Sequence, residues 1–209
     1  RRLGGEDPIT EIVKAAKADP AKTYRDFSQS ASRYSKENQA VGWGVIGQFL
    51  AKKLDPNADD AYRFQQELGY NELLSAESQE WKVRAGLRAK DWALVENAIE
   101  GMNPAIRVRD PAWTYWYGRA LKVESQDAKA KENFEFIDNQ YNFYGQLARE
   151  ELGKSNQAPA RTKVGDQEID TMASRKGFMR GERLYAMNLR FEGNREWNWE
   201  LRNMTDKQL

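Results

Sequence analysis

Residues 110–121 read DPAWTYWYGRAL, residues 127–137 read DAKAKENFEFI, and residues 143–153 read FYGQLAREELG. Apolar residues recur in each stretch at the three- and four-residue spacing of one helix face, which predicts three consecutive amphipathic helices. Ser125 or Asp127 is the predicted N-cap of the second helix, because both types accept hydrogen bonds from free N–H groups. The predicted core positions are Trp113, Trp116, Tyr117, Ala120, Leu121, Ala130, Phe134, Ile137, Tyr144, Leu147, Ala148 and Leu152.

These stretches also carry a family resemblance. The pattern PAW-x-Y-W-x-x-R-A-L, followed by A-x-x-x-F-x-x-I and FYG-x-L-A-x-E-E-L-G, is similar to the superhelical region of the soluble lytic transglycosylases of Gram-negative bacteria. Two flanking stretches agree with it, EWKVRA at residues 80–85 and REWNWELR at residues 195–202. The resemblance therefore covers about residues 80–204, and residues 40–56 match more loosely.

The helix patterns and the resemblance together predict an all-α fold. We expect an irregular superhelix of stacked, tetratricopeptide-like helix hairpins with about 9–12 helices, because the hairpins that can be read from the sequence differ in length. Residues 1–192 would form this scaffold domain. Residues 193–209 would begin a linker that leads to a C-terminal catalytic domain outside this chain.

The resemblance also implies a function. Lytic transglycosylases are periplasmic lyases that cleave the bond between N-acetylmuramic acid and N-acetylglucosamine in peptidoglycan and leave 1,6-anhydro products. We expect this chain to be the non-catalytic scaffold of such an enzyme and to be inactive alone. Its expected partners are peptidoglycan glycan strands, reached through the parent enzyme, and its own catalytic domain. The alternatives are a tetratricopeptide-like adaptor that binds a protein, and a complete helical enzyme that uses carboxylates alone.

Composition restricts the chemistry that the chain can perform. The 209 residues include 33 basic and 32 acidic side chains, and this balance argues against a nucleic-acid partner. Cysteine and histidine are absent, which removes thiolate chemistry, cysteine zinc sites and the commonest general base. We therefore predict no metal site and no cofactor. No apolar run reaches transmembrane length and no signal peptide is present, and because the chain starts at Arg1 we expect a processed protein or a fragment.

No catalytic residue is predicted. The family's catalytic glutamate precedes a serine, and a Gly-x-Met-Gln run follows downstream. Glu77–Ser78 and Glu124–Ser125 have the first feature without the second, and both are expected at helix starts, where these residue types are common. Glu150–Glu151 is expected to be solvated or to pair with Arg149 or Lys154.

Trp197 and Trp199 are the candidate contact residues. Most tryptophans of the chain lie on apolar helix faces and are predicted to be core, but these two are two positions apart and cannot share one face. We expect one to be core and the other to pack against a neighbouring domain. A sugar contact and packing within the same domain are the alternatives.

Three further patterns concern the local structure. Gly42, Gly44 and Gly47 fall on one predicted helix, where close helix packing is favoured over approach of a ligand to the backbone. Residues 154–173 are polar and are expected to form a connection, and residues 178–191 are expected to form one helix that stops at Gly193.

Both ends of the chain carry helix-capping signals. Asp7 is the predicted N-cap of the first helix. The last residues, 205–208, have the form of a capping box, which announces a further helix. We therefore expect the natural protein to continue beyond Leu209.

Overall fold

The computed structural model describes residues 8–156, 158, 163–202 and 204–205. Within these residues the chain forms α-helices and two short 3₁₀ helices, at Ala31–Arg33 and Asn71–Leu73, and no strand. The α-helices in chain order are α1 (Pro8–Ala18), α2 (Pro20–Ser30), α3 (Lys36–Lys52), α4 (Ala58–Leu68), α5 (Ala76–Ala89), α6 (Trp92–Glu100), α7 (Pro104–Arg109), α8 (Pro111–Val123), α9 (Asp127–Ile137), α10 (Phe143–Glu151), α11 (Asp166–Ala173), α12 (Lys176–Ala186) and α13 (Arg190–Leu201).

These helices belong to two compact units, Arg1–Gln157 and Ala158–Leu209. In the first unit, α3 packs on α4, α5 on α6 and α8 on α9, so that three helix pairs follow one another. Contacts of α3 with α5 and of α6 with α8 stack the pairs, and α10 packs on α8 and α9. In the second unit, α12 packs on α13 and α11 contacts α12. The predicted all-α class of stacked helix pairs is confirmed, and the described residues form thirteen α-helices where nine to twelve helices were expected.

Polar side chains fix the helix starts of the first unit. The carboxylate of Asp110 accepts a hydrogen bond from the backbone N–H of Ala112 at 3.0 Å, and Pro111 follows as the first residue of α8. Between α8 and α9 the predicted cap is wrong. Gln126 holds the N-cap position, Asp127 is already the first residue of α9, and Ser125 has a φ of 60° in the preceding turn.

The predicted core of α8, α9 and α10 is confirmed at its central positions. Leu121 and Ile137 are fully buried, and Phe134 is 2% exposed. The predicted face of α8 omitted Tyr115, which is 3% exposed and lies against the rings of Trp116, Phe134 and Tyr144. The apolar face of α8 is therefore wider than the spacing rule indicated, because α9 and α10 cover the helix from two directions.

The glycines of α3 allow close packing, as predicted. A Cβ atom added at Gly42 would lie 2.6 Å from the ring of Phe27, and one at Gly47 would lie 2.9 Å from the ring of Tyr62. At Gly44 the same atom would collide with the side chain of Leu74. Each glycine thus receives a bulky side chain from a different part of the first unit.

The prediction was wrong in two places after residue 153. Residues 166–173, expected in a polar connection, form α11. The single helix expected over residues 178–191 is two helices, because the chain turns at Asn188, whose φ is 62°. Gly193 does not stop a helix and lies inside α13.

Three further predictions remain untested. The expected domain boundary between residues 192 and 193 falls within α13, and the domain roles assigned to its two sides stay predictions. The predicted N-cap Asp7 and most of the capping box at residues 205–208 lie outside the described residues.

Candidate functional site

The two candidate tryptophans lie on α13 of the second unit and have different surroundings. The ring of Trp197 is 37% exposed and packs on Phe178, with ring centroids 4.6 Å apart, and on Tyr185, at 6.4 Å. Trp199 is 62% exposed, and the guanidinium of Arg202 lies 5.0 Å from its ring. Trp197 therefore holds α12 against α13, while most of Trp199 remains open to solvent.

Small residues and ion pairs bring α12 and α13 together. A Cβ atom added at Gly181 would lie 3.5 Å from the ring of Trp197, so this residue contacts the indole directly. The carboxylate of Glu196 accepts hydrogen bonds from Arg180 at distances of 2.7 and 2.9 Å. This exposed ion pair helps to orient α12 relative to α13, but it adds little to the free energy of unfolding, as is usual for ion pairs at a surface.

Each tryptophan borders a separate cavity. Trp197 lines a cavity of about 840 Å³ together with Ile169, Met172 and Leu201. Trp199 lines a more polar cavity of about 770 Å³, which Arg180 and Glu196 also border. The two side chains thus line different cavities, as their spacing predicted, but neither is buried, so the expectation that one would be core is wrong.

Further apolar side chains are exposed around the turn between α12 and α13. Phe191 is 71% exposed, Met187 is 60% exposed and Leu189 is 43% exposed. Exposed apolar clusters of this kind mark binding surfaces more often than isolated exposed residues do. These three residues form what we call the hairpin surface, and Trp199 lies about two turns further along α13.

The glutamate–serine pairs lack the features of a general acid. Glu77 is exposed in the first turn of α5, and its hydrogen bond and ion pair with Lys52 lower its pKa, whereas a general acid needs a raised one. Ser78 is buried and donates a hydrogen bond to the carbonyl of Gly44 at 3.1 Å. Glu124 was wrongly expected at a helix start, since it is the C-cap residue of α8.

The Glu150–Glu151 pair has structural partners other than those expected. Glu151 pairs with Arg119 at 3.1 Å and with Lys122 at 2.8 Å, joining α8 to α10. Glu150 accepts a hydrogen bond from the side chain of Asn156 at 2.9 Å. Glu151 thus belongs to the packing of the first unit, while Glu150 is exposed to solvent as expected.

Sequence reasoning missed Lys82, a fully buried cation in the first unit. Its Nζ donates hydrogen bonds to the side-chain oxygens of Gln65 at 2.8 Å, Asn71 at 3.0 Å and Asn97 at 2.6 Å. Three amide oxygens therefore match the three N–H donors of the ammonium group. Burial lowers the pKa of Lys82 to about 7.

The described residues contain neither a cluster of metal ligands nor a membrane-spanning helix. Among them, no group of three or more acidic, cysteine or histidine side chains is placed to hold a metal ion. No described helix combines the length and the apolar character that crossing a membrane requires.

Comparison with solved structures relates this arrangement to known proteins. An inactive variant of the lytic transglycosylase Slt from Pseudomonas aeruginosa is 19% identical, with a TM-score of 0.62 over 96% of this chain and 32% of its own. The 70 kDa soluble lytic transglycosylase of Escherichia coli is 16% identical, with a TM-score of 0.56 over 100% of this chain and 34% of its own.

The chain has the fold of part of a soluble lytic transglycosylase. The same 70 kDa enzyme in complex with bulgecin A gives a TM-score of 0.55 at 16% identity, over 100% of this chain and 34% of its own. This chain thus spans about one third of the length of each of these structures. No protein-family model matches the sequence, and no curated protein is similar to it.

Proposed function

We propose that this chain is a non-catalytic helical scaffold of a peptidoglycan lytic transglycosylase. The observation that carries the proposal is the shared fold, which extends over nearly the whole chain but over only a third of the neighbouring structures. The parent protein would act in the periplasm on glycan strands and release 1,6-anhydro products. The candidate catalytic carboxylates support the non-catalytic role of this chain, because Glu77 and Glu151 are engaged in ion pairs.

Within this proposal, Trp197 and Trp199 contact the catalytic domain of the same protein. The support comes from exposure, since the indole of Trp199 is 62% exposed and the apolar side chains of the hairpin surface, on the same helix pair, are exposed as well. Covering this surface would remove a substantial apolar area from water, which favours association. Trp197 would act mainly by keeping α12 and α13 in place beneath that contact.

The gene sequence beyond Leu209 is the most direct test. A downstream Glu-Ser pair followed by a Gly-x-Met-Gln run is the expected result. A stop codon, or additional helix pairs alone, would contradict the scaffold proposal and favour the protein-binding adaptor.

Turnover by the isolated chain is the second test. Purified peptidoglycan incubated with the 209 residues should yield no anhydro-muropeptides, whereas the full-length parent protein should release them. Release by the isolated chain would show that the chemistry lies within it and would overturn the assignment of a non-catalytic role.

A further inference from the structure

A cavity of about 230 Å³ lies where α3, α4 and α5 meet in the first unit. Alanines line much of it, together with Leu54, Pro56 and Trp81. Asp55, Asp59, Arg84 and Arg88 add charges of both signs, and Asp59 pairs with Arg63 at 3.3 Å outside this set. Its volume is below the roughly 300–1,000 Å³ of sites for drug-sized molecules, so its ligand must be small.

Opposite charges border this cavity without neutralising each other. Arg88 makes no hydrogen bond or ion pair with any described residue. Asp55 accepts two hydrogen bonds from Asn57, both at 2.9 Å and both on the same oxygen, and has no ion-pair partner among the described residues. Because Asp55 and Arg88 form no ion pair, their charged atoms lie more than 4.0 Å apart, and the cavity occupies the space beside them.

The second arginine of the cavity is fixed in position by aromatic rings. The guanidinium of Arg84 lies 5.0 Å from the ring of Trp81 and 5.3 Å from the ring of Trp113. Its contacts with Glu80 are long, at 3.3 Å, and use one oxygen of that carboxylate. Arg84 therefore keeps N–H donors that a ligand carboxylate can use at little loss of side-chain entropy.

The exposed side chain of Leu54 borders the cavity. Leu54 has a φ of 58°, a left-handed conformation that glycine normally supplies at the end of a helix, and its side chain is 63% exposed. This conformation closes α3, where the backbone N–H of Asp55 donates to the carbonyl of Leu50 at 3.0 Å, and it leaves an apolar side chain exposed at the edge of the cavity. A ligand with an apolar portion would cover this side chain.

We infer that this cavity binds a short zwitterionic peptide of about two residues. Its carboxylate pairs with Arg88 and Arg84, its ammonium group pairs with Asp55, and its apolar body covers Trp81 and Leu54. A neutral sugar would leave both unpaired charges partly desolvated without a counter-charge. A phosphate or another simple anion would leave Asp55 unpaired and would be repelled by it.

Titration of the 209-residue protein with dialanine, followed by two-dimensional NMR, tests this inference. We expect saturable shifts of the α5 amides and the Trp81 indole. N-acetyl-dialanine and dialanine amide, which each lack one charge, should bind about tenfold more weakly, since each loses a hydrogen bond to a charged group. Absence of saturable shifts, equal binding of the blocked forms, or preferential binding of N-acetylglucosamine would overturn the inference.

Matched variants locate the site. Arg88→Gln and Asp55→Asn should each weaken dialanine binding about tenfold, while Arg109→Gln, which alters an exposed arginine outside the cavity, should leave it unchanged. Equal affinity in all three variants would contradict the assignment. These results are independent of the proposed scaffold function, which the gene sequence and the turnover assay decide.

Discussion

The Nζ of Lys82 donates a hydrogen bond to the side-chain oxygen of Asn97 at 2.6 Å, so an amide rather than a carboxylate holds this buried cation. Lys82 lies on α5 and Asn97 on α6, and the side chain of Asn71 joins them by donating to Asn97 at 2.9 Å. The network links three segments of the first unit through neutral acceptors. Its strength therefore depends on whether the lysine carries a proton.

The first prediction concerns the pH dependence of stability. Lys82 has a pKa of about 7 in the folded protein and an ordinary value of 10.5, so between these values the unfolded chain binds more protons. The free energy of unfolding should therefore rise with pH from about 7 to 9.5, by up to about 1.4 kcal/mol per pH unit, and this group should contribute no slope well below pH 7. Above about pH 10 the pKa values of Tyr62 and Tyr117, which burial raises, act in the opposite direction.

Urea denaturation at a series of pH values measures this slope. Lys82→Met removes the titrating group and should flatten the curve between about pH 7 and 9.5. A slope that persists in this variant would assign the effect to another group.

The second prediction concerns the variant Asn97→Asp. A carboxylate in place of the amide favours the ammonium form, so the pKa of Lys82 should rise toward its ordinary value. The increase in stability between about pH 7 and 9.5 should then shrink relative to the wild type. An unchanged slope in the same urea experiments would show that Asn97 is not the decisive neighbour of the lysine.

The third prediction concerns Gly145, in the first turn of α10. A Cβ atom there would collide with the carbonyl oxygen of Gln140 and lie 2.9 Å from that of Ile137. Because backbone atoms cannot rotate away, Gly145→Ala should destabilise the first unit by about 2–4 kcal/mol in chemical denaturation. Gly165→Ala is the control at an unhindered glycine, since no atom lies within 4 Å of its added Cβ; because this glycine is the N-cap of α11, a loss of only about 0.5–1 kcal/mol in the second unit is expected. Similar losses in both variants would refute the steric explanation.

The fourth prediction separates the two tryptophans of α13. Trp197→Ala removes a ring that packs on Phe178 and Tyr185, and it should destabilise the second unit by about 2 kcal/mol. Trp199→Ala should change stability by no more than about 0.5 kcal/mol, because the ring is mostly exposed. Near-ultraviolet circular dichroism during thermal unfolding measures both effects.

The proposed domain contact adds a second measurement to the same pair. Trp199→Ala should weaken binding of the separately expressed catalytic domain while leaving the second unit folded. Normal binding by this variant would exclude Trp199 from the contact, whatever its effect on stability.

Much of the first unit could be predicted from the sequence wherever the structure depends on residues that are close together in the chain. The spacing of apolar residues over α8 and α9 identified Ala120, Leu121, Phe134 and Ile137 as core, and all four are buried. Lys82 could not be found in this way. A lysine on a helix with Glu80 and Arg84 two positions away indicates a solvated position, and its acceptors come from sequence positions up to 17 residues away.

The second unit was less predictable because its helix break lacks the usual signals. Asn188 adopts a left-handed conformation without glycine or proline beside it, so the apolar pattern on either side appears continuous. Gly193, which resembles a stop, serves instead to admit the ring of Tyr185, since an added Cβ would lie 2.8 Å from that ring. The cavity beside Arg88 depends on three helices meeting, which no local pattern contains.

The glycines of α3 have a mechanical consequence. Phe27, Tyr62 and Leu74 each seat in a notch where the helix lacks a side chain. Advancing α3 by one residue would bring Trp43, Val45 and Gln48 into these notches, so the helix has a single axial and rotational position. The position of α3 against its neighbours is therefore set by the fit of these side chains to the glycines. It should persist at salt concentrations and pH values that weaken the ion pairs elsewhere in the first unit.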